Sequence, residues 1–108
     1  MKTGDIILIP FPYSGLENVK VRPAVVVSIT KDKYKDIIVC AVSSVISNSP
    51  NSNEMILTHN KTNKLRVDSV LKVDRIVTLK LKDRIADLGK LSPAELITFK
   101  TKFKNLVA

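Results

Sequence analysis

The chain has no tryptophan, one cysteine, one histidine and three glycines among its 108 residues, and aromatics make up 5% of it. A lone cysteine excludes an internal disulfide. Cys40 sits in the continuous apolar run Ile37-Ile38-Val39-Cys40-Ala41-Val42. That setting predicts a buried structural thiol, since a reactive thiolate needs a partly exposed, electropositive site. A lone histidine excludes acid–base chemistry by a pair of histidines within one chain, and the polar neighbours of His59 predict an exposed loop residue. Few aromatics leave a base-stacking platform poorly supplied. No His, Cys, Asp and Glu cluster has metal-ligand spacing, so neither metal nor cofactor is expected. No apolar run approaches ~18 residues and no signal-peptide pattern opens the chain, so a soluble cytoplasmic protein without membrane contact is expected.

What is present is aliphatic and basic. Val, Ile and Leu carry most of the 44% hydrophobic content, which favours a β-rich core. The length fits one domain over residues 1–108. Such a domain buries only about 60–70% of its unfolded surface, so dimerisation or partner binding would add stability. The 18 Lys and Arg against 10 Asp and Glu give a net charge of +8. Residues 61–108 hold 12 of those positive and 5 of those negative charges, so +7 of the +8 lies there. That balance points to an anionic partner, whether RNA, DNA or an acidic protein.

Strands are expected at Ile6 to Phe11, Ala24 to Thr30, Ile37 to Val42, Glu54 to Thr58 and Arg66 to Val73. A polar loop over residues 12–21 separates the first two, and Pro23 fixes the entry to the second. Residues 31–35 read as a charged turn, and residues 43–53, rich in Ser and Asn, as a mobile loop. Ile76 to Leu81 is a further strand or the approach to a helix. Asp83 to Leu88 reads as a helical turn closed by Gly89. Ser92-Pro93-Ala94-Glu95 is a helix start with an N-cap Ser, Pro at the first position and Glu at the third. Leu96, Phe99, Phe103 and Leu106 then form one apolar helical face.

Three places set polar groups beside strands: Arg22 with its preceding loop, Ser43 and Ser44 at a strand end, and Arg66 with Asp68. Their order is more specific than any one of them. Arg22-Pro23-Ala24-Val25-Val26-Val27-Ser28, then Ala41-Val42-Ser43-Ser44, then Arg66-Val67-Asp68-Ser69-Val70, then Val73-Asp74-Arg75-Ile76-Val77-Thr78-Leu79, and finally Leu88-Gly89-Lys90-Leu91-Ser92 run in sequence. This ordered set resembles the MazF/PemK family of toxin endoribonucleases over nearly the whole chain. Two departures stand out: Ser43 occupies a position where the family most often has Thr, and Val77 precedes Thr78 where some members have Arg.

The resemblance implies a mainly β fold, a small SH3-like antiparallel β-barrel with a C-terminal helix. It implies a toxin of a type II toxin–antitoxin system that cuts single-stranded mRNA at short sequences without a metal. The 2′-OH would attack the adjacent phosphate. By resemblance Arg22 and Ser43 form the catalytic core. Arg22 suits the phosphorane because a guanidinium binds two phosphoryl oxygens at once and stays charged. Asp68 or Glu17 would accept the 2′-OH proton, and Arg66 would bind phosphate or assist the leaving oxygen. Loops 13–21 and 44–53 would read unpaired bases, with Tyr13, Ser14, Glu17, Lys20 and Ser44 as contacts. A homodimer and an acidic or amphipathic antitoxin are the implied partners. Two other readings remain open: a non-catalytic toxin like the gyrase-binding CcdB, and a non-catalytic nucleic-acid-binding barrel.

Overall fold

The computed structural model describes residues 1–12 and 19–107. Six strands form one antiparallel sheet: β1 (Asp5–Pro12), β2 (Val19–Ile29), β3 (Asp36–Ser43), β4 (Glu54–Leu57), β5 (Ser69–Lys80) and β6 (Ala86–Lys90). Their spatial order is β4-β5-β3-β2-β1-β6. One helix, α1 (Pro93–Asn105), follows. The mainly β fold with a C-terminal helix is as expected, and the sheet curls into a half-barrel.

The strands fall where apolar residues can be used on both faces. Ile6, Val25, Cys40, Val42, Leu71 and Phe99 belong to one buried cluster, which packs under α1. Ile7, Ile9, Ala24, Val26, Ile37 and Val39 belong to a second. Neighbouring residues such as Ile6 and Ile7 therefore enter different clusters, as the alternation of a strand requires. Cys40 Sγ lies 3.2 Å from the Val73 carbonyl oxygen. Burial first, and then the nearby Asp74 charge, push the thiol up to about 12, so it is an inert core group.

Prolines sit where the ladder lacks a neighbour. Pro10 and Pro12 face Val21 and Val19 of β2, while β6 pairs only with Asp5 to Leu8 on the other side of β1. Pro23 faces Leu8, one residue before β3 pairing begins at Ala24. A proline there costs no ladder hydrogen bond.

The helix start is as read. Glu95 N–H donates to Ser92 Oγ at 3.2 Å, and Ser92 N–H donates to Glu95 Oε1 at 2.8 Å. Leu96, Phe103 and Leu106 pack around buried Phe99, whose ring meets that of Phe103 edge-on at 6.1 Å.

Three expectations are corrected. β2 starts at Val19, so Lys20, Val21 and Arg22 are strand residues and not part of a loop to residue 21. β5 starts at Ser69, not Arg66, and runs unbroken through the segment read as a separate element. The expected helical turn at Asp83 to Leu88 is instead a 3₁₀ turn (Leu81–Asp83) followed by β6. Gly89 lies within β6 because the backbone of a loop crosses it. A Cβ there would stand 2.4 Å from the Thr62 carbonyl oxygen and 2.5 Å from that of Asn63.

Candidate active site

The register of the central strands explains the site. Ala24 of β2 faces Ala41 of β3. Extended two residues beyond its last pair, that ladder would set Arg22 across from Ser43, and both residues line one recess. Both then extend the stripe of Ala24, Val26, Val39 and Ala41, so the apolar face ends in a guanidinium and a hydroxyl.

A register shift in the β3–β5 ladder brings in two more cations. Cys40 faces Ile76, but the next β3 residue, Ala41, faces Lys72. Val73, Asp74 and Arg75 are therefore looped out of the ladder, a bulge that bends the strand. Val73 turns into the core, while Lys72 and Arg75 join Arg22 and Ser43 around a recess of about 110 Å³. Lys72 Nζ also pairs with Glu54 Oε2 at 3.9 Å.

Arg22 borders a second, larger concavity of about 390 Å³. Lys20, Ser44, Arg66 and Ser69 supply its polar wall, and Val21, Leu65 and Val67 its apolar one. Arg22 is half-buried, with Nε shielded from solvent. A cation in so low a dielectric acts on a bound anion more strongly than one in open water. Among the described residues no carboxylate lines either concavity. Lys20, Arg22 and Arg66 line the larger concavity and Arg22, Lys72 and Arg75 the smaller, so the two form one cationic groove around Arg22.

Ser43 has a defined polarity. Its Oγ accepts from the Val45 N–H at 3.1 Å, a turn that ends β3. The hydroxyl proton is thereby left to be donated outward. Ser44 is exposed at the rim. The rest of the 44–53 segment is pinned by short bonds, including Asn53 N–H to Asn51 Oδ1 at 2.8 Å and Lys102 Nζ to the Ser52 carbonyl at 2.8 Å.

A strand over Arg66 to Val73 would point Arg66 and Asp68 to the same face, but both precede β5 and they go to different places. The last β4–β5 pair is Leu57 with Ser69, and the chain splays before it. Arg66 reaches the groove. Asp68 turns to the β4 end, where its Oδ1 accepts from the His59 N–H at 3.0 Å and lies 2.5 Å from His59 Nδ1. The side-chain bond to His59, then the backbone bond, hold the Asp68 carboxyl below the usual carboxylate range. His59 is exposed, as read, but it is held by Asp68, nine residues along the chain.

The loop that delivers Arg66 is built on Asn63, a fully buried polar residue. Asn63 Oδ1 accepts from the N–H groups of Asn60 (3.0 Å) and Leu65 (2.9 Å), and its Nδ2 donates to the Thr58 carbonyl at 2.9 Å. Tyr13, Ser14 and Glu17 lie outside the described residues. Spacing alone does not mark Lys72 and Arg75 as site residues, because only the bulge in β5 turns them toward Ser43. No group of three His, Cys, Asp or Glu side chains able to hold a metal occurs among the described residues. No described helix is long and apolar enough to cross a membrane.

Comparison with known proteins agrees with this fold. The profile of the PemK-like, MazF-like toxins of type II toxin–antitoxin systems matches residues 2–107. No curated protein matches the sequence. Among solved structures, a mycobacterial endoribonuclease in complex with its cognate antitoxin is similar with a TM-score of 0.74 at 14% identity, covering 97% of this chain and 92% of that one. The Mycobacterium tuberculosis toxin MazF-mt6 gives 0.70 at 16% identity, covering 95% of each chain. MazF from Deinococcus radiodurans gives 0.69 at 24% identity, covering 99% of this chain and 96% of that one.

Proposed function

Because this chain belongs to the family of PemK-like, MazF-like toxins of type II toxin–antitoxin systems, we propose that it is a metal-independent endoribonuclease that cuts single-stranded mRNA at a short sequence. The observation that carries this reading is Arg22 seated between two cationic concavities, with Ser43 lining the smaller one beside it.

In the proposed reaction the scissile phosphate sits on the Arg22 guanidinium, with the Ser43 hydroxyl donating to one of its oxygens. The ribose 2′-oxygen attacks phosphorus, and the bond from phosphorus to the 5′-oxygen breaks. The products are a 2′,3′-cyclic phosphate and a 5′-hydroxyl. A carboxylate takes the 2′-OH proton, and another proton reaches the departing 5′-oxygen. Arg22 acts by stabilising the charge that develops on the phosphorane, since a guanidinium gives up its proton reluctantly. Lys72 and Arg75 add positive charge beside the same oxygens, and Arg66 and Lys20 hold neighbouring phosphates.

Two carboxylates compete for the proton-accepting role. Asp68 is already committed to His59, a bond that holds its carboxyl below the usual carboxylate range. Glu17 belongs to the segment beside Lys20. Asp68→Asn and Glu17→Gln separate them, because only loss of the true base removes the acidic limb of the pH–rate profile.

Exposed Val21 and Val67 beside the groove's cations suit an amphipathic, acidic segment of a cognate antitoxin, and we assign the antitoxin to this groove. We also propose a homodimer, which would lengthen the groove across two copies. The test is product analysis on a short unstructured RNA. Cyclic-phosphate and 5′-hydroxyl ends support the mechanism. Intact RNA from folded, antitoxin-free protein contradicts it and turns attention to a protein target such as gyrase.

A further inference from the structure

At the far end of β3 from Ser43 lies a second basic surface that the groove does not use. β3 is 8 residues long, so its two end residues are separated by about 23 Å. The register Asp36 with Lys80 brings the end of β5 beside the β2–β3 turn. Lys33, Lys35, Lys80 and Lys82 thereby surround a shallow recess of about 560 Å³, floored by Leu81 and opened beside Tyr34. All four lysines are exposed. Asp36 is the one carboxylate among the lining residues, and Arg84 at the edge is engaged by Asp87 at 3.2 Å.

The turn is held in a fixed shape. Asp32 Oδ1 accepts from Thr30 Oγ1 at 3.1 Å and from the Tyr34 N–H at 3.0 Å. The Asp36 N–H donates to Thr30 Oγ1 at 2.8 Å, and the Thr30 N–H donates to the Asp36 carbonyl at 2.8 Å. Lys35 occupies a left-handed backbone conformation at φ 50°, where glycine or asparagine would cost less. The turn thus keeps a cation at a position that sterics would give to another residue. Tyr34 is 67% exposed, with Lys33 Nζ 5.4 Å from its ring centroid. A large aromatic left this open next to four cations has the composition of a single-strand nucleic-acid contact, where phosphates meet lysines and a base stacks on a ring.

We propose that this face is a second RNA-binding surface, which holds single-stranded RNA away from the cleavage site and raises the protein's hold on long substrates over short ones. The choice of RNA over an acidic protein rests on the proposed ribonuclease function and on the exposed ring; the lysine cluster itself does not depend on that reading.

The test uses 2′-O-methyl RNA, which lacks the attacking hydroxyl, so binding is read apart from cleavage. One oligonucleotide is short enough to fill the groove alone, at about 6 nucleotides, and the other is about 30. The triple variant Lys33→Gln, Lys80→Gln, Lys82→Gln is compared with the parent over a salt series. Each phosphate contact contributes ~0.7 to the slope of log affinity against log salt for single strands, so the slope on the long RNA should fall by about 2. Affinity for the short RNA should not change. Tyr34→Ser should lower long-RNA affinity by about 5- to 100-fold with the slope kept. Unchanged slopes overturn the proposal. So does an equal loss on both RNAs, which would signal damage to the fold. A variant that loses binding only to polyglutamate also overturns it, in favour of an acidic protein. If the parent binds neither RNA the surface proposal fails, while cleavage of a short natural RNA by the same preparation still reports on the proposed function.

Discussion

Gly89→Ala should destabilise this protein far more than its half-buried position in a short strand suggests. A methyl group at residue 89 would lie 2.4 Å from the Thr62 carbonyl oxygen, 2.5 Å from the Asn63 oxygen and 2.6 Å from the Asn63 carbonyl carbon. All three are backbone atoms, so no side chain can swing aside. β6 is fixed on its other side by pairing with β1, and the Leu91 N–H donates to the Gly4 carbonyl at 2.9 Å. The loop over residues 58–65 must therefore retreat. Its retreat breaks the bond from the Lys90 N–H to the Thr62 carbonyl (3.1 Å) and strains the bonds of buried Asn63. One lost hydrogen bond costs about 1 kcal/mol, and forcing an extra carbon into a packed site costs about 1–3 kcal/mol. The expected loss is about 2–4 kcal/mol in urea unfolding, or a fall in Tm of roughly 10–25 °C for a domain of this size. The same loop carries Leu65 and Arg66 into the groove, so RNA affinity of the remaining folded protein should fall too. A loss under ~0.5 kcal/mol, the range of an ordinary surface change, would refute the close approach.

Three further outcomes are expected. Ser43→Ala should slow cleavage about 10²-fold or more by removing a preorganised donor to the phosphate, while Ser43→Thr, which keeps the hydroxyl, should retain activity; equal rates for both variants would remove Ser43 from the chemistry. Asp68 has its pKa lowered by His59, so the contact between them holds above the ordinary carboxylate range and is lost as pH falls through the lowered value. In His59→Ala an NMR titration should find the Asp68 carboxyl raised back into the ordinary carboxylate range, and an unchanged midpoint would deny the coupling. Ser92→Ala removes the N-cap of the helix that buries Phe99 and should cost about 1 kcal/mol in unfolding without changing cleavage by folded protein.

The elements that local chemistry decides were legible in the sequence. The capping box of α1 and its Leu96, Phe99, Phe103 and Leu106 face need only spacing rules, and they stand as read. So does the buried thiol of Cys40. What the sequence hid was set by pairing between distant segments. Nothing local announces that β5 drops three residues from its ladder beside Cys40, yet that bulge is what turns Lys72 and Arg75 toward Ser43. Arg66 and Asp68 alternate like strand residues, but the β4 partner ends at Leu57, and Asp68 is captured by His59. Gly89 reads as a helix stop by type, whereas its reason is the loop backbone lying on top of it. Arg22 and Ser43 stand out in the sequence only within an ordered motif, and the fold brings both to the lining of one recess.

The most direct test of the central claim is a long unstructured RNA incubated in EDTA with the parent protein and, in parallel, with Arg22→Ala. The account predicts that the parent cuts at a recurring short sequence with the metal removed, and that the variant, folded and equally stable, cuts about 10²- to 10³-fold more slowly. Parent protein that leaves the RNA intact, or a variant that cuts at the parent's rate, would contradict it.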